Sequence, residues 1–107
     1  MSTQSQARAV VDPVQVDSTH YTVELENEKV RVLRIKYGPH EKSAMHGHPA
    51  SVAIFLTDSD TRFTYPDGKT EDIRGKAGQV LYMDAMVHNP ENLGNKSFEA
   101  IVVELKV

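Results

Sequence analysis

The sequence predicts an all-β domain, a sandwich or closed barrel of about eight short strands, on three observations. Apolar, β-branched and aromatic residues alternate with polar ones in short runs. Gly, Pro, Asn and Asp punctuate the chain at spacings of about 8–12 residues, which is the rhythm of strands joined by turns. No window sustains apolar residues at i, i+3, i+4 and i+7, so an amphipathic helix is not expected.

In chain order, residues 1–18 are polar and broken by Asp12 and Pro13, and read as a flexible N-terminal arm that its valines can tie down against a partner. A single domain follows over residues 19–107. "HYTVELEN" and "VRVLRIKY" are β-branched, aromatic and alternating, and are bounded by Asn27 and by Gly38-Pro39, as strands are. "SVAIFLTD", "TRFTY", "KTEDI" and "QVLYM" continue the pattern. Between two of them, "YPDGK" at 65–69 is a hairpin turn: proline presets one backbone angle and Asp-Gly accepts the left-handed one. Gly75 and Gly78 mark the next corner. The last strand, in "SFEAIVVELK", is apolar on both parities from Ala100 to Leu105, so both of its faces are expected to be covered.

A chain of 107 residues makes one domain. With 39% hydrophobic and 25% charged residues it folds rather than staying disordered. The net charge is −3, and Lys29, Arg31, Arg34, Lys36 and Lys42 are scattered singly, which excludes a basic nucleic-acid footprint. Cysteine is absent, so a metal would depend on nitrogen and oxygen ligands. "MSTQSQARAVV" lacks the apolar core of a secretory signal, and no apolar run approaches the roughly 20 residues that span a bilayer. The expected location is the cytoplasm, with neither membrane nor nucleic acid as partner. No G-x-S-x-G elbow and no phosphate-cradling glycine loop occurs.

The chemistry-bearing feature is "MHGHPASV" at 45–52. Alternate side chains of a strand share a face, so His46 and His48 can bite one metal together. His88, in "MVHNPEN" after the strand "QVLYM", is the candidate third ligand, in what reads as a strand ending in a turn. His20 and His40 have no partner at ligand spacing and read as surface or turn residues.

The order of these features resembles the cupin superfamily. Its first motif runs from a glycine through H-x-H to a glutamate; its second runs from a glycine through proline-x-glycine to a histidine and an asparagine. Gly38 and His46-Gly47-His48 match the first, and Gly78, His88 and Asn92 the second. Asp84 stands where proline is expected and Met86 near the expected glycine. The resemblance covers about residues 28–105. It implies a cupin-type β-barrel (a double-stranded β-helix or jelly roll) with one divalent transition metal on His46, His48 and His88. It also implies a homodimer, which the two-sided apolar tail strand favours as well. Three-histidine centres in the superfamily resemble those of iron(II) dioxygenases that cleave β-diketones or oxidise thiols. The resemblance therefore implies a mononuclear metal-dependent oxygenase or related enzyme, with iron(II) first and nickel, zinc or copper also suited to imidazole ligands. The alternative is a non-catalytic module that binds a small molecule or a metal, because a fold does not fix a function.

The family's glutamate is missing. Val52 shares the parity of His46 and His48, and is expected to point inward where that carboxylate would stand. Glu41 precedes the pair and Asp58 lies too far along the strand. Three neutral imidazoles leave a divalent ion its full charge and open positions, which favours a small, chelating, anionic substrate. Val52, Tyr82 and Met86 are the candidate pocket residues. Tyr82 and Met83 have opposite parities, so only one of them can face inward. Asp84 is a candidate hydrogen-bond acceptor for His88, and Asn92 is expected to brace the turn that follows.

Overall fold

The alternation read from the sequence becomes two antiparallel sheets that face each other across one core. The computed structural model describes residues 11–106. Among the described residues, one short helix, α1 (Pro13–Val16), precedes nine strands. These are β1 (Tyr21–Glu26), β2 (Val30–Tyr37), β3 (His46–His48), β4 (Ser51–Phe55), β5 (Ser59–Thr64), β6 (Thr70–Gly75), β7 (Val80–Met83), β8 (Met86–Asn92) and β9 (Phe98–Leu105). One sheet has the order β1-β2-β9-β4-β7 and the other β3-β8-β5-β6. This is the double-stranded β-helix that the sequence predicts, with the sheets stacked rather than closed into a continuous barrel.

Register explains which residues are inside. β2 and β9 pair without a break from Val30↔Leu105 to Tyr37↔Phe98. Leu33, Ile35 and Tyr37 therefore share the inner face with Phe98, Ala100 and Val102, and all six are buried. β4 adds Ala53 and Phe55, and β1 adds Tyr21. Each fully buried side chain of this size contributes roughly 1.5–3 kcal/mol. The four-stranded sheet closes the core from the other side with Phe63 and His88, whose rings meet edge-on at 4.2 Å.

The "YPDGK" hairpin forms as expected between β5 and β6. Gly68 adopts φ 88°, its N–H donates to the Tyr65 carbonyl at 2.8 Å, and the Asp67 carboxylate accepts from the Lys69 N–H. The turn expected after His88 is instead the body of β8, with Asn89, Pro90 and Asn92 paired to β5. Proline is tolerated there because its missing N–H faces the irregular chain beside Ser43, whose own N–H donates to the Pro90 carbonyl.

Residues 1–10 of the expected arm lie outside the described residues. Residues 11–17 sit on the chain's own strands. Pro13 is buried, Val14 packs on the core, and the Val11 carbonyl accepts from Gly47 N–H along the edge of β3. Next along the chain, His20 lies in a turn, as expected, but its ring is held by three neighbours. Its ring stacks on Tyr37 at 4.2 Å and bonds Asp17 at 2.7 Å and Glu41 at 2.8 Å. His40 is a turn residue with φ 61°, bonded to Asn95. Among the described residues no helix is long and apolar enough to cross a membrane.

Two outcomes follow from this packing. A Cβ added at Gly75 would lie 2.7 Å from the ring of Phe55. Gly75→Ala is expected to destabilise the fold by about 1–3 kcal/mol in urea unfolding, through overpacking. Burial alone would lower the His20 pKa, but Asp17 and Glu41 outweigh it and raise the value above the ordinary 6.5. The raised value stabilises the fold below the ordinary pKa, and that contribution is lost as pH rises through the folded value. His20→Gln should therefore cost more stability near pH 5.5 than near pH 8.5, roughly the two sides of that titration.

Candidate metal centre

β3 and β8 pair so that His46 stands directly opposite His88, and His48 opposite Met86. Directly opposed residues bring side chains within about 5 Å, which is how positions 42 residues apart in the chain become neighbours. The three imidazole centroids form a near-equilateral triangle: 4.8 Å for His46–His48, 4.9 Å for His46–His88 and 5.1 Å for His48–His88. Their planes are mutually close to perpendicular, at 86°, 89° and 88°. One nitrogen from each ring lies within 4.8 Å of the other two.

Outer partners fix which nitrogen faces the centre. The Ala44 carbonyl lies 2.8 Å from Nδ1 of His46 and can only accept, so that nitrogen carries the proton and Nε2 is free. The Glu104 carboxylate lies 2.7 Å from Nδ1 of His48 and sets the same tautomer. His46 Nε2 and both nitrogens of His88 are buried with no hydrogen-bond partner. A buried polar atom left unpaired costs about 1–3 kcal/mol, and a metal ion would satisfy His46 Nε2 and one of the two His88 nitrogens at once. Burial, followed by the proximity of His48, lowers the pKa of His46 to about 4. Burial, followed by His48 and His46, lowers that of His88 to about 2. Both rings are therefore neutral across the physiological range, as metal ligands must be. By these tests the residues fit a divalent metal.

Glu104 is the functional residue that the sequence reading missed. Its carboxylate is buried between His48 and Arg31, whose Nε donates at 2.9 Å, and Arg31 in turn pairs with Asp12 at 2.7 Å. Burial raises the Glu104 pKa, but the His48 and Arg31 contacts outweigh it and hold the group below the ordinary carboxylate range. The signal was present: in "FEAIVVEL" the inward parity reads Phe98, Ala100, Val102, Glu104, an acid on an otherwise apolar face.

His48 and His88 open onto a cavity of about 70 Å³ with an almost wholly apolar lining. Met86 lines it, as expected, and so do Met83, Phe55 and Phe63. Its polar groups besides histidine include Ser51, Thr61 and the tyrosine pair Tyr21–Tyr37, whose hydroxyls meet at 2.7 Å. Tyr21 also packs edge-on against His46 at 4.8 Å.

Two expected pocket residues do not reach it. Val52 and Tyr82 pair with each other on the outer face of the five-stranded sheet, and Tyr82 is 62% exposed. The parity count from His48 fails because the chain leaves one sheet at Pro49-Ala50 and enters the other at Ser51. Ser51, Ala53 and Phe55 take the inward slots, so no carboxylate enters the triad from β4. Asp84 is exposed and leaves His88 without an acceptor. Asn92 braces the turn after its strand: its side chain donates to the carbonyls of Gly38 and Lys96 and accepts from Gly94 N–H.

No family model and no curated protein matches the sequence. A cupin domain from Bordetella pertussis superposes with a TM-score of 0.75 at 22% identity, over 81% of this chain and 92% of that one. The fold is that of the cupins. A conserved protein with a double-stranded β-helix domain from Klebsiella pneumoniae gives 0.64 at 20% identity, over 92% of this chain and 85% of that one. The cupin likeness extends to oxalate decarboxylase of Bacillus subtilis, a protein with Mn(II) centres, at TM-score 0.57 and 19% identity. That match covers 74% of this chain but 22% of the decarboxylase.

If Glu104 holds His48 in its ligand tautomer, Glu104→Gln should weaken zinc or nickel binding by about 10–100-fold in calorimetric titration. His88→Ala should weaken it further, with far-ultraviolet circular dichroism unchanged in both variants.

Proposed function

We propose that this protein is a mononuclear metal-dependent enzyme of the oxygenase kind, acting in the cytoplasm on a small, chelating, anionic substrate. The observation that carries the reading is the set of unpartnered imidazole nitrogens of His46 and His88 beside the tautomer-fixed His48, at the polar end of an apolar cavity. Three protein ligands leave coordination positions for a substrate, whereas structural sites saturate with four. Iron(II) is the first choice of metal, with nickel, zinc and copper also compatible with imidazole; manganese favours more oxygen ligands than this triad offers. The bound metal would supply Lewis acidity and, as iron(II), reactivity toward dioxygen.

The chain's own residues define what can bind there. No Lys or Arg lines the cavity, so an anionic group is neutralised only at the histidine end. Phe55, Phe63 and Met83 exclude water from the rest of the substrate, which strengthens the electrostatic contacts there. Burial raises the Tyr21 pKa well above its ordinary value, so its phenol stays protonated beside His46. The cavity admits only a small molecule.

A second reading, a non-catalytic binding module, is favoured by the scarcity of acid–base groups in the lining beyond the histidines and tyrosines. One experiment separates the two. Protein loaded with iron(II), nickel, zinc or copper is assayed for bound metal, then for oxygen uptake with β-diketones, thiols and phenolic acids. Stoichiometric metal with iron-dependent oxygen uptake is expected. Metal without uptake favours the binding module, and a chain that stays metal-free ends the enzyme reading.

A further inference from the structure

Three contacts tie residues 11–17 to β3, the strand that carries two of the three histidines. β3 is three residues long and pairs with β8 on one side. On its other side the Gly47 N–H donates to the Val11 carbonyl at 2.9 Å. The remaining two contacts start from the residues that flank α1. Asp12, at its N-terminal end, accepts from both terminal nitrogens of Arg31, at 2.7 and 3.3 Å. Arg31 donates in turn to Glu104, which holds Nδ1 of His48. Asp17, at the C-terminal end, accepts from the Ser43 hydroxyl at 2.6 Å, and Ser43 Oγ lies 3.2 Å from Nδ1 of His46. A carboxylate only accepts, so the Ser43 proton is committed to Asp17 and the serine lone pairs are left for the His46 N–H. This contact reinforces the tautomer set by the Ala44 carbonyl. Each histidine of β3 is thus oriented through its outer nitrogen by a path that ends on the same helix.

α1 spans four residues, too few to be helical in isolation. Its order comes from docking: Pro13 is buried, Val14 packs on the core, and the helix rests against β1 and β3. We propose that Asp12 and Asp17 are positioning residues for the metal ligands, and that docking of segment 11–17 and metal binding at the triad form one coupled equilibrium. The inference rests on the metal-binding reading of the triad and is independent of catalysis. Undocking removes the outer contacts of His46 and His48, so a metal would have to order both rings before it could use them. The coupling is reciprocal: the factor by which docking raises metal affinity is the factor by which metal favours the docked segment.

Calorimetric zinc titration of the full chain, with amide exchange measured in the presence and absence of zinc, tests it. Asp17→Ala should weaken zinc binding by about 10–100-fold. Asp17→Asn, which keeps an oxygen to accept from Ser43, should recover most of the loss. An aspartate that served stability alone would lower the unfolding midpoint and leave the zinc affinity of the folded chain unchanged. The Asp17 amide bonds the Pro13 carbonyl across α1 and the Gly47 amide bonds Val11, so both report docking. In the wild-type chain zinc should slow both by about 10-fold or more. The Tyr65 amide, bonded to Lys69 within the 65–69 turn, should not respond. Zinc binding that leaves the Asp17 amide unprotected overturns the proposal while the metal reading stands, as does equally tight binding by Asp17→Ala. A wild-type chain that binds no zinc overturns both. Exchange in the wild type decides the matter if Asp17→Ala does not fold.

Discussion

A buried carboxylate, Glu104, joins the two sheets to the start of the described chain. It accepts from His48 on the edge of one sheet and from Arg31 on the neighbouring strand of the other, and Arg31 reaches Asp12 beside α1. An isolated ionised carboxylate in this position would cost several kcal/mol of lost hydration. Two charge-assisted or polar donors offset that cost, and each is itself held by a further contact. The arrangement is consequently brittle: removing one member leaves a buried charge without its partner. It also keeps the carboxylate one step away from the histidine centre. Its contact is with the outer nitrogen of His48, not with the centre itself.

The histidine centre runs against the economy of an ordinary core. His88 is almost fully buried with neither ring nitrogen bonded, and His46 has one nitrogen in the same condition. Leucine or phenylalanine would fill such space without an unsatisfied group. Domains of this size retain only about 5–15 kcal/mol of net stability, so polar atoms left unpaired in the interior are a sizeable concession. A ligand that binds the folded form and not the unfolded one recovers it through mass action. The neutrality imposed by burial suits the rings to a cation, because no proton has to be displaced first.

Much of this was legible in one sequence because the signals were local. Alternation in β2 and β9, the Pro-Asp-Gly turn and the H-x-H pair need no knowledge of distant residues. His88 was recoverable from its spacing within a family-like pattern. What could not be read depended on crossing between sheets. Parity carries along one strand only, and Pro49-Ala50 resets it, which sends Val52 and Tyr82 outward and brings Ser51 in. Asn89 and Pro90 have turn chemistry but lie in a strand, because the tertiary pairing with Thr64 and Phe63 overrides local preference. Glu104 was hidden by separation: it stands 56 residues after His48, and the β4–β9 register, which sets it opposite Ser51, brings it there.

The strand order has a consequence for how the chain is made. β9 lies between β2 and β4 and follows every strand it joins, so synthesis from the N-terminus leaves those two edges bare until residues 98–105 emerge. β1 and β2 can form a hairpin early, as can β5 and β6, but the larger sheet cannot knit across its middle. Folding governed by such distant pairings is slow, and nascent chains of this kind expose sticky strand edges while they wait. Translation pauses placed shortly before β9 would prolong that exposure, whereas fast passage through it would shorten the window in which a ribosome-bound chain can aggregate.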